Sequence, residues 1–411
     1  MNSFSQKFSQ AMNTCIPRNR ASRSALAAGL LGAFTALTHA QTVEFNSGST
    51  GALGDLVITN DTQIVLPADG ILHYKSFQVL NGAAVSFIKN ANNTPVYLLS
   101  QEDVLIAGRV YLSGGGSAGD RGPGLGGAGG CDGGRRGVDE LPAGDGQGPG
   151  GGRAGSHDGS GRADSAGSGS YLTQSSNGST NYGVIYGNAA LIPLMGGSGG
   201  GGTPVYGGGG GGGAILIASN TRIAFGASGD SFIDATGGEW GTGGAYNGGS
   251  GGAVKLVAPQ ITGPMRIYVQ NRNGTGGSGR IRLDAVNYSG VQLNHHSPAL
   301  AISYGSMLAT GLEGTLPRLE LVSVAGRPVP TNNVATGFIL LPNGVSGTQP
   351  VVVRAKNFGA QVPIRVVVAP DNGPTTFFDS TVNNTGPNPA EATVTAFIPA
   401  NSPARINVWT R

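Results

Sequence analysis

Three charged side chains alternate along one short segment in the second half of the chain. Arg280, Arg282 and Asp284 are separated by Ile281 and Leu283, so a β-strand would place the charged groups on one face and the apolar pair on the other. Lyases and hydrolases of polysaccharides use paired carboxylates, or a metal-bound aspartate with a basic partner. The segment is therefore a candidate site for an acidic sugar. The alternative is a solvated outer face with one ion pair inside the strand.

The same segment belongs to a repeated frame of glycine, alternating apolar residues and alanine. Copies start at Gly213, Gly252 and Gly279. Their alignment predicts two interior columns: Ile215, Val254 and Ile281; and Ile217, Leu256 and Leu283. It also places Lys255 beside Arg282. We call the following four residues the charged ridge: Lys255, Arg280, Arg282 and Asp284. Repetition of one short unit predicts a solenoid whose insertions project from one face.

Other residues offer weaker chemistry. Trp240 follows Glu239 between glycines, which predicts either a loop that stacks on a sugar ring or a tryptophan packed against its own coil. The stretch ending at Asp132 approaches a calcium-binding repeat but does not iterate, so Ca²⁺ is only a minor alternative and no cofactor is expected. His295 and His296 lack a second ligand cluster, and no metal site is predicted.

The first forty residues have the pattern of a secretory signal. A basic stretch is followed by an apolar run over residues 24–37 and by small residues ending at Ala40. The run is too short to span a bilayer, so no membrane span is expected once the segment is removed. Four of the 25 lysines and arginines lie in it, against 22 acidic residues in the whole chain. The processed chain is therefore slightly acidic, which disfavours nucleic-acid binding. It retains Cys131 alone, as a free thiol or an intermolecular bond.

Composition divides the remainder of the chain, which carries 75 glycines in 411 residues. Short apolar runs separated by glycine, asparagine and proline predict rungs of a parallel β-helix, with a long glycine-rich interruption. That interruption is expected to be either a loose insertion or a stack of polyglycine-II helices bonded side by side. The predicted boundaries are as follows: signal peptide 1–40, β-helix 41–113, glycine-rich insertion 114–213, β-helix 214–290, linker 291–316 and C-terminal module 317–411.

The C-terminal module contains seven apolar runs with prolines near their ends. Seven short strands in such a length predict an immunoglobulin-like β-sandwich. The runs are Leu319–Val324, Phe338–Leu341, Val351–Arg354, Ile364–Val368, Thr376–Phe378, Ala392–Ile398 and Arg405–Trp409. The fold class predicted for the whole chain is thus all-β, a right-handed parallel β-helix followed by a sandwich.

Several motifs resemble a group of exported glycine-rich proteins of Gram-negative bacteria. They are DGILHYKSF at 69–77, TPVYLLS at 94–100 with VLIAG at 104–108, GSGGAVKLVA at 249–258 and GSGRIRL at 277–283. More distantly, the chain is similar to the pectate-lyase-like right-handed β-helix superfamily. The resemblance spans about residues 50 to 290 and implies the fold. No catalytic residue can be carried over from it.

Together these observations predict a secreted or cell-surface structural or adhesion protein, with assembly into a matrix, sheath or filament as its role. Its expected partners are further copies of itself or an extracellular polysaccharide. Its expected location is the cell surface or the medium, with the periplasm as the alternative. The competing hypothesis is a carbohydrate-active enzyme or polysaccharide-binding protein that uses the outer face near the charged ridge and Trp240.

Overall fold

The computed structural model describes most of the chain after residue 43. The described ranges are 44–117, 122–137, 142–156, 166–174, 181–239, 247–272, 274–294, 299–312, 317–329, 339–342, 344–370, 375–386, 389–400 and 402–410. The predicted signal peptide lies outside them. Within them the regular secondary structure is almost entirely β-strand, and a single 3-10 turn, Ala299–Ala301, is the helical element.

Seventeen strands, numbered along the chain, form three parallel sheets. The first sheet contains β1 (Asp55–Ile58), β4 (Ser76–Val79), β7 (Val104–Ile106), β10 (Arg222–Phe225) and β13 (Gln260–Thr262). The second contains β2 (Thr62–Val65), β5 (Ala84–Ile88), β8 (Arg109–Tyr111), β11 (Phe232–Asp234), β14 (Pro264–Tyr268) and β16 (Gln292–Asn294). The third contains β3 (Ile71–Tyr74), β6 (Val96–Ser100), β9 (Ala214–Ser219), β12 (Ala253–Val257), β15 (Arg280–Asp284) and β17 (Ile302–Gly305).

Successive strands visit the three sheets in turn. Each circuit of three strands is one coil, and each strand pairs in parallel with the equivalent strands of the coils before and after it. The last coil supplies β16 and β17, which pair with β14 and β15. Residues 292–294 and 302–305 therefore belong to the stack, and the expectation of a linker from residue 291 is wrong there. The stack of three parallel sheets is consistent with a β-helix.

The core of this stack is made of inward-facing columns. Val254 pairs with both Ile215 and Ile281, and all three are fully buried in one apolar cluster. Leu256 joins Ile217 and Leu283 in the same way. The two interior columns predicted from the repeated frame are confirmed. Strand alternation explains them, because every second side chain points into the coil.

Long connections leave the stack at one corner, between the second and third sheets. Residues 112–213 connect β8 to β9, 235–252 connect β11 to β12, and 269–279 connect β14 to β15. These passages pack against one another. We call the packed region the glycine lattice, and its described members are 112–117, 122–137, 142–156, 166–172, 196–213, 235–239 and 247–252.

Lateral backbone hydrogen bonds hold the glycine lattice together. Gly134 N donates to Gly200 O at 2.8 Å, Gly200 N to Gly209 O at 2.9 Å, and Gly209 N to Asn247 O at 3.0 Å. Three passages of the lattice, 122–137, 196–213 and 247–252, are thereby joined side by side. This is the bonding expected of stacked polyglycine-II helices, so the described parts of the segment are packed and the loose-insertion alternative is wrong for them.

Close approach explains why these positions are glycine. A Cβ atom added to Gly200 would overlap the carbonyl oxygen of Asn247, and one added to Gly208 would overlap that of Gly200. In both cases the obstructing atoms are backbone, which cannot rotate away. The glycines are required for packing, because any side chain would push the passages apart and break their lateral hydrogen bonds.

The C-terminal part forms two antiparallel sheets. One contains β18 (Arg318–Val324), β19 (Arg327–Pro328), β20 (Gly347–Lys356) and β23 (Ala390–Ile398). The other contains β21 (Gln361–Pro370), β22 (Thr376–Asn383) and β24 (Ala404–Thr410). Side chains of both sheets share one apolar core that includes Val353 and Ile364. Six of the seven predicted runs lie in strands. The seventh begins at Phe338, outside the described residues, and its described part, 339–341, is not a strand.

Candidate binding surfaces

The charged ridge lies on the third sheet, and the strand register brings its members together. Lys255 on β12 pairs with Arg282 on β15, as the aligned frames predict. Arg280 and Asp284 flank Arg282 on the same strand. Their position opposite the buried Ile281 places them on the outer side of the sheet.

This outer side is covered by the glycine-rich segment. Tyr171, Leu191 and Leu194 pack there in a second apolar cluster, and both Lys255 and Asp284 are 0% exposed. The expectation of a solvated ridge is therefore wrong for these two residues. These residues are buried because the glycine-rich insertion packs over the outer side of the third sheet. The strand pattern alone predicts that this side is exposed to solvent.

Arg282 and Asp284 form the ion pair that the sequence offered as the alternative. Arg282 Nη2 donates to Asp284 Oδ1 at 2.6 Å, and Nε donates to Oδ2 at 2.9 Å. The Met307 amide also donates to Asp284 Oδ1 at 3.1 Å. These hydrogen bonds from Arg282 to Asp284 raise the pKa of Arg282 despite its burial. The carboxylate thus ties β15 to the chain beyond β17.

Arg280 contacts the covering segment. Its Nη2 donates to Tyr186 O at 3.0 Å, and its guanidinium lies 5.5 Å from the ring centroid of Tyr171. The rings of Tyr171 and Tyr186 stack with centroids 4.4 Å apart. Arg280 therefore contributes to packing between the third sheet and the insertion, whereas Arg282 and Asp284 bond to each other and to the chain at Tyr304 and Met307. The polysaccharide-binding role of the four ridge residues stays a prediction, and it would require the cover to move. Trp240, His295 and His296 lie outside the described residues.

Cys131 lies in the glycine lattice and is half-buried. The pKa of its thiol is raised to about 11, chiefly by burial and also by the Asp132 carboxylate, against the opposing effect of the Lys89 and Arg405 cations. Thiolate, which is the reactive form in disulfide exchange, is therefore scarce at neutral pH.

We expect the native chain to react with Ellman's reagent at neutral pH on the order of 100-fold more slowly than the chain unfolded in guanidinium. The comparison uses a chain that lacks residues 1–40, in which Cys131 is the sole cysteine. Equal rates in the two states would show an accessible, ionisable thiol and would favour the predicted intermolecular bond.

The neighbouring Asp132 carboxylate forms a clamp between three segments. It accepts hydrogen bonds from Gly126 N at 2.7 Å, from Lys89 Nζ at 2.9 Å and from Arg405 Nη1 at 2.6 Å. Burial alone would raise the pKa of Asp132, but Lys89, Arg405 and the Gly126 amide outweigh burial and hold it below its usual value. Asp132 is thus engaged by cations of the protein itself. Among the described residues, no three His, Cys, Asp or Glu side chains are grouped to hold a metal ion.

A different surface carries a group of partly exposed aromatic rings. On the outer side of the second sheet, Tyr111 on β8 pairs with Asp234 on β11, which pairs with Tyr268 on β14. Phe232 lies between the two tyrosines, with ring centroids 5.5 Å from Tyr111 and 5.8 Å from Tyr268, both edge-on. All three rings are half-buried. The tyrosines are two strands apart, about 9.6 Å at the usual strand spacing.

Two arginines lie in the column beside these tyrosines. Arg109 pairs with Phe232, and Arg266 occupies the matching position on β14, because the next residues, Ile233 and Ile267, pair with each other. Arg109 Nη2 is 3.6 Å from Asp61, whereas Arg266 donates to the Ser228 carbonyl at 3.3 Å. We call the following five residues the aromatic face: Arg109, Tyr111, Phe232, Arg266 and Tyr268.

The chain matches no family model, no curated protein and no solved structure. Within the described residues, no helix is long and apolar enough to cross a lipid bilayer. Fold and side-chain geometry therefore carry the functional conclusion.

The aromatic face has the chemistry of a polysaccharide-binding surface. Aromatic rings present flat apolar surfaces, which suit the C–H faces of sugars. Guanidinium groups bind carboxylates and sulfates through paired hydrogen bonds. The sheet fixes the backbone beneath every ring. The sequence alone does not reveal this site, because the whole glycine-rich segment separates β8 from β11 and the register between these strands is not apparent from their spacing. The available signal was the alternation of Arg109, Val110 and Tyr111, repeated by Phe232, Ile233 and Asp234.

Proposed function

We propose that the chain is an exported structural and adhesion protein of the cell surface or extracellular matrix that binds acidic polysaccharide through its aromatic face. In this proposal the three parallel sheets are a right-handed β-helix, and the C-terminal sheets are an immunoglobulin-like sandwich. The observation that carries the proposal is the group of three half-buried rings beside two arginines on one sheet.

Rigidity supports an adhesive role. The aromatic face lies on β8, β11 and β14. The connections that follow β8 and β11 enter the glycine lattice, where neighbouring passages of the chain are hydrogen-bonded to one another. A preformed surface loses little conformational entropy when a polymer binds along it. The enzymatic alternative has less support at the charged ridge, because the Asp284 carboxylate is buried and already accepts hydrogen bonds from Arg282 and Met307.

Replacing Phe232 with alanine, and separately Arg266 with alanine, is expected to weaken binding to immobilised polygalacturonate about tenfold each, since each removes one stacking or charged contact. Binding is measured by retention and by titration calorimetry. The matched control is Phe377→Ala in β22, because Phe377 is 52% exposed and also lies beside an arginine, Arg365, at 5.3 Å. The control should bind as the wild type does.

A neutral glucan should bind the wild type more weakly than polygalacturonate, because it offers the arginines no anion. The proposal would be contradicted if the wild type bound neither polymer. It would also be contradicted if Phe232→Ala bound polygalacturonate as tightly as the wild type. Release of unsaturated uronate products, followed by absorbance, would instead favour the lyase hypothesis.

A further inference from the structure

Both ends of the three-sheet stack leave strands paired on one side only. At the first coil these are β1, β2 and β3, and at the other end they are β13, β16 and β17. The outer edges of β1, β2, β16 and β17 pair with no further described strand. On β3, by contrast, the His73 carbonyl accepts from Leu53 N at 2.9 Å, and on β13 Ile261 N donates to Asn287 O at 3.0 Å. Unpaired strand edges are templates for pairing with another chain.

The apolar core is also open at both ends. Leu56 and Ile64 in the first coil pack against the main core cluster but remain partly exposed. In the last coil, Val291, Leu293 and Ile302 do the same. Solenoids that stay monomeric in solution carry terminal units with polar outer faces. Neither end shows such a cap within the described residues.

The segment before β1 covers only part of the first coil. Ser47 N donates to Asn220 Oδ1 in the third coil at 2.7 Å, and Ser47 Oγ donates to Ser100 O in the second at 2.8 Å. Leu53 N then donates to His73 O on the outer edge of β3 at 2.9 Å. The segment thus runs along the side of the stack and reaches β3, while β1 and β2 have no further described strand beside them.

The last coil lacks the charges that normally protect a sheet edge. From Val286 to Leu312 the sequence contains no Asp, Glu, Lys or Arg. Leu300 is 82% exposed and Tyr304 in the edge strand β17 is 54% exposed. An uncharged, apolar edge of this kind is a site for association.

The C-terminal sheets are held to one side. Arg405 in β24 donates to Asp132 and to Gln147 at 2.6 and 2.7 Å. These hydrogen bonds place β24 beside the glycine lattice. The lattice itself projects from a corner of the stack. The terminal edge around Leu300 and Tyr304 is therefore left accessible.

We propose that the last coil of one copy binds the first coil of a second copy, so that the second sheet continues from chain to chain. This inference rests on the structural role proposed above and names its partner as the chain itself. All strands in the second sheet are parallel, so the outer edge of β16 matches that of β2 in direction and in sheet order. The exposed Leu56 and Ile64 of one copy then close the open core of the other.

Strand direction selects this head-to-tail arrangement over pairing of two first coils. Two first coils could pair only with antiparallel strands, whereas a last coil meets a first coil in the parallel order that the sheets already have. A heterologous contact of this kind does not close on itself and produces a filament.

Two end-blocked variants test the proposal in the full chain, recovered after export. One carries Val65→Glu with Val57→Glu at the first coil, where both side chains are exposed by 68% and 48%. The other carries Leu300→Glu with Tyr304→Glu at the last coil. The control is Phe397→Glu, at a 50% exposed position in β23. Sedimentation velocity and negative-stain microscopy give the mass and shape of each sample.

We expect the wild type and the control to form filaments that lengthen with concentration, and each blocked variant alone to stay monomeric. An equal mixture of the two variants should give dimers and nothing larger, because it contains one competent interface. Circular dichroism confirms folding, and Val65→Asn and Tyr304→Ser replace any variant that misfolds.

Three results would overturn the proposal: a monomeric wild type, a mixture that remains monomeric, or a first-coil variant that dimerises by itself through its last coil. Polysaccharide binding is measured on the monomeric variants in parallel. The variants change no residue of the aromatic face, although β14 pairs with the terminal strand β16, so retained binding without filaments would reject only the assembly. Filaments without binding would reject only the adhesive function.

Discussion

Replacement of Gly200 by alanine is expected to lower the free energy of unfolding of the glycine lattice by about 3 kcal/mol, at the upper end of what overpacking costs. The added methyl group would overlap the carbonyl oxygen of Asn247. It would also separate Gly200 from Gly134 and Gly209, to which it is hydrogen-bonded at 2.8 and 2.9 Å. Several bonds are therefore weakened by one methyl group.

Amide hydrogen exchange is the suitable measurement, because it reports on the lattice separately from the antiparallel sheets. Faster exchange is expected at Gly134, Gly200 and Gly209. Gly359→Ala is the matched control, since a Cβ there meets no atom within 4 Å, and it should change stability by less than about 0.5 kcal/mol. If the two variants were equally stable, the lattice would be looser than the structure shows.

Replacement of Asp132 by asparagine should lower the free energy of unfolding by about 3 kcal/mol, because it leaves two cations facing a neutral group in a mostly buried site. The Asp132 side chain is only 6% exposed, and those of Lys89 and Arg405 are 27% and 55% exposed. Glu391→Gln is the control. It also removes a carboxylate from an arginine, Arg354, but both side chains are exposed, so the cost should stay below about 1 kcal/mol.

The Asp132 clamp also predicts how the free energy of unfolding decreases at acid pH. The pKa of Asp132 lies below its ordinary value of 3.8 in the folded chain, so the folded state favours the ionised form. Its stabilisation is complete above the unfolded-state pKa and is lost as the pH falls through the lower, folded-state pKa. Denaturant titrations from pH 6 to pH 2 should show a shallower loss for Asp132→Asn than for the wild type. Parallel curves would mean that the clamp does not form in solution.

The sequence predicted the parts of the fold that repeat. Repeated glycine frames, separated by one coil plus a loop of variable length, specified the columns of Ile215, Val254 and Ile281, because short alternating strands in parallel have few ways to stack. The ion pair of Arg282 with Asp284 followed from the same alternation. Antiparallel strands near the C-terminus were also recognisable from their apolar runs.

The remainder depends on contacts between residues far apart in the chain. Tyr171 and Leu191 cover Lys255 from a segment whose composition indicates no core, and no local pattern reports that contact. The last coil was mistaken for a linker because β16 and β17 lack the glycine frame of β9, β12 and β15. The aromatic face was missed because Tyr111 and Phe232 become neighbours only when the register across the insertion is known.

The absence of Cβ atoms in the glycine lattice also shapes how this protein can change over generations. At Gly200 or Gly208 every missense codon introduces an atom where a neighbouring backbone already lies. Strand positions on the outer side of the second sheet, by contrast, accept many side chains. The glycine lattice, whose composition is the simplest in the chain, is therefore expected to tolerate the fewest substitutions. New binding specificities would arise on the outer side of the second sheet, while the sequence of the lattice is conserved.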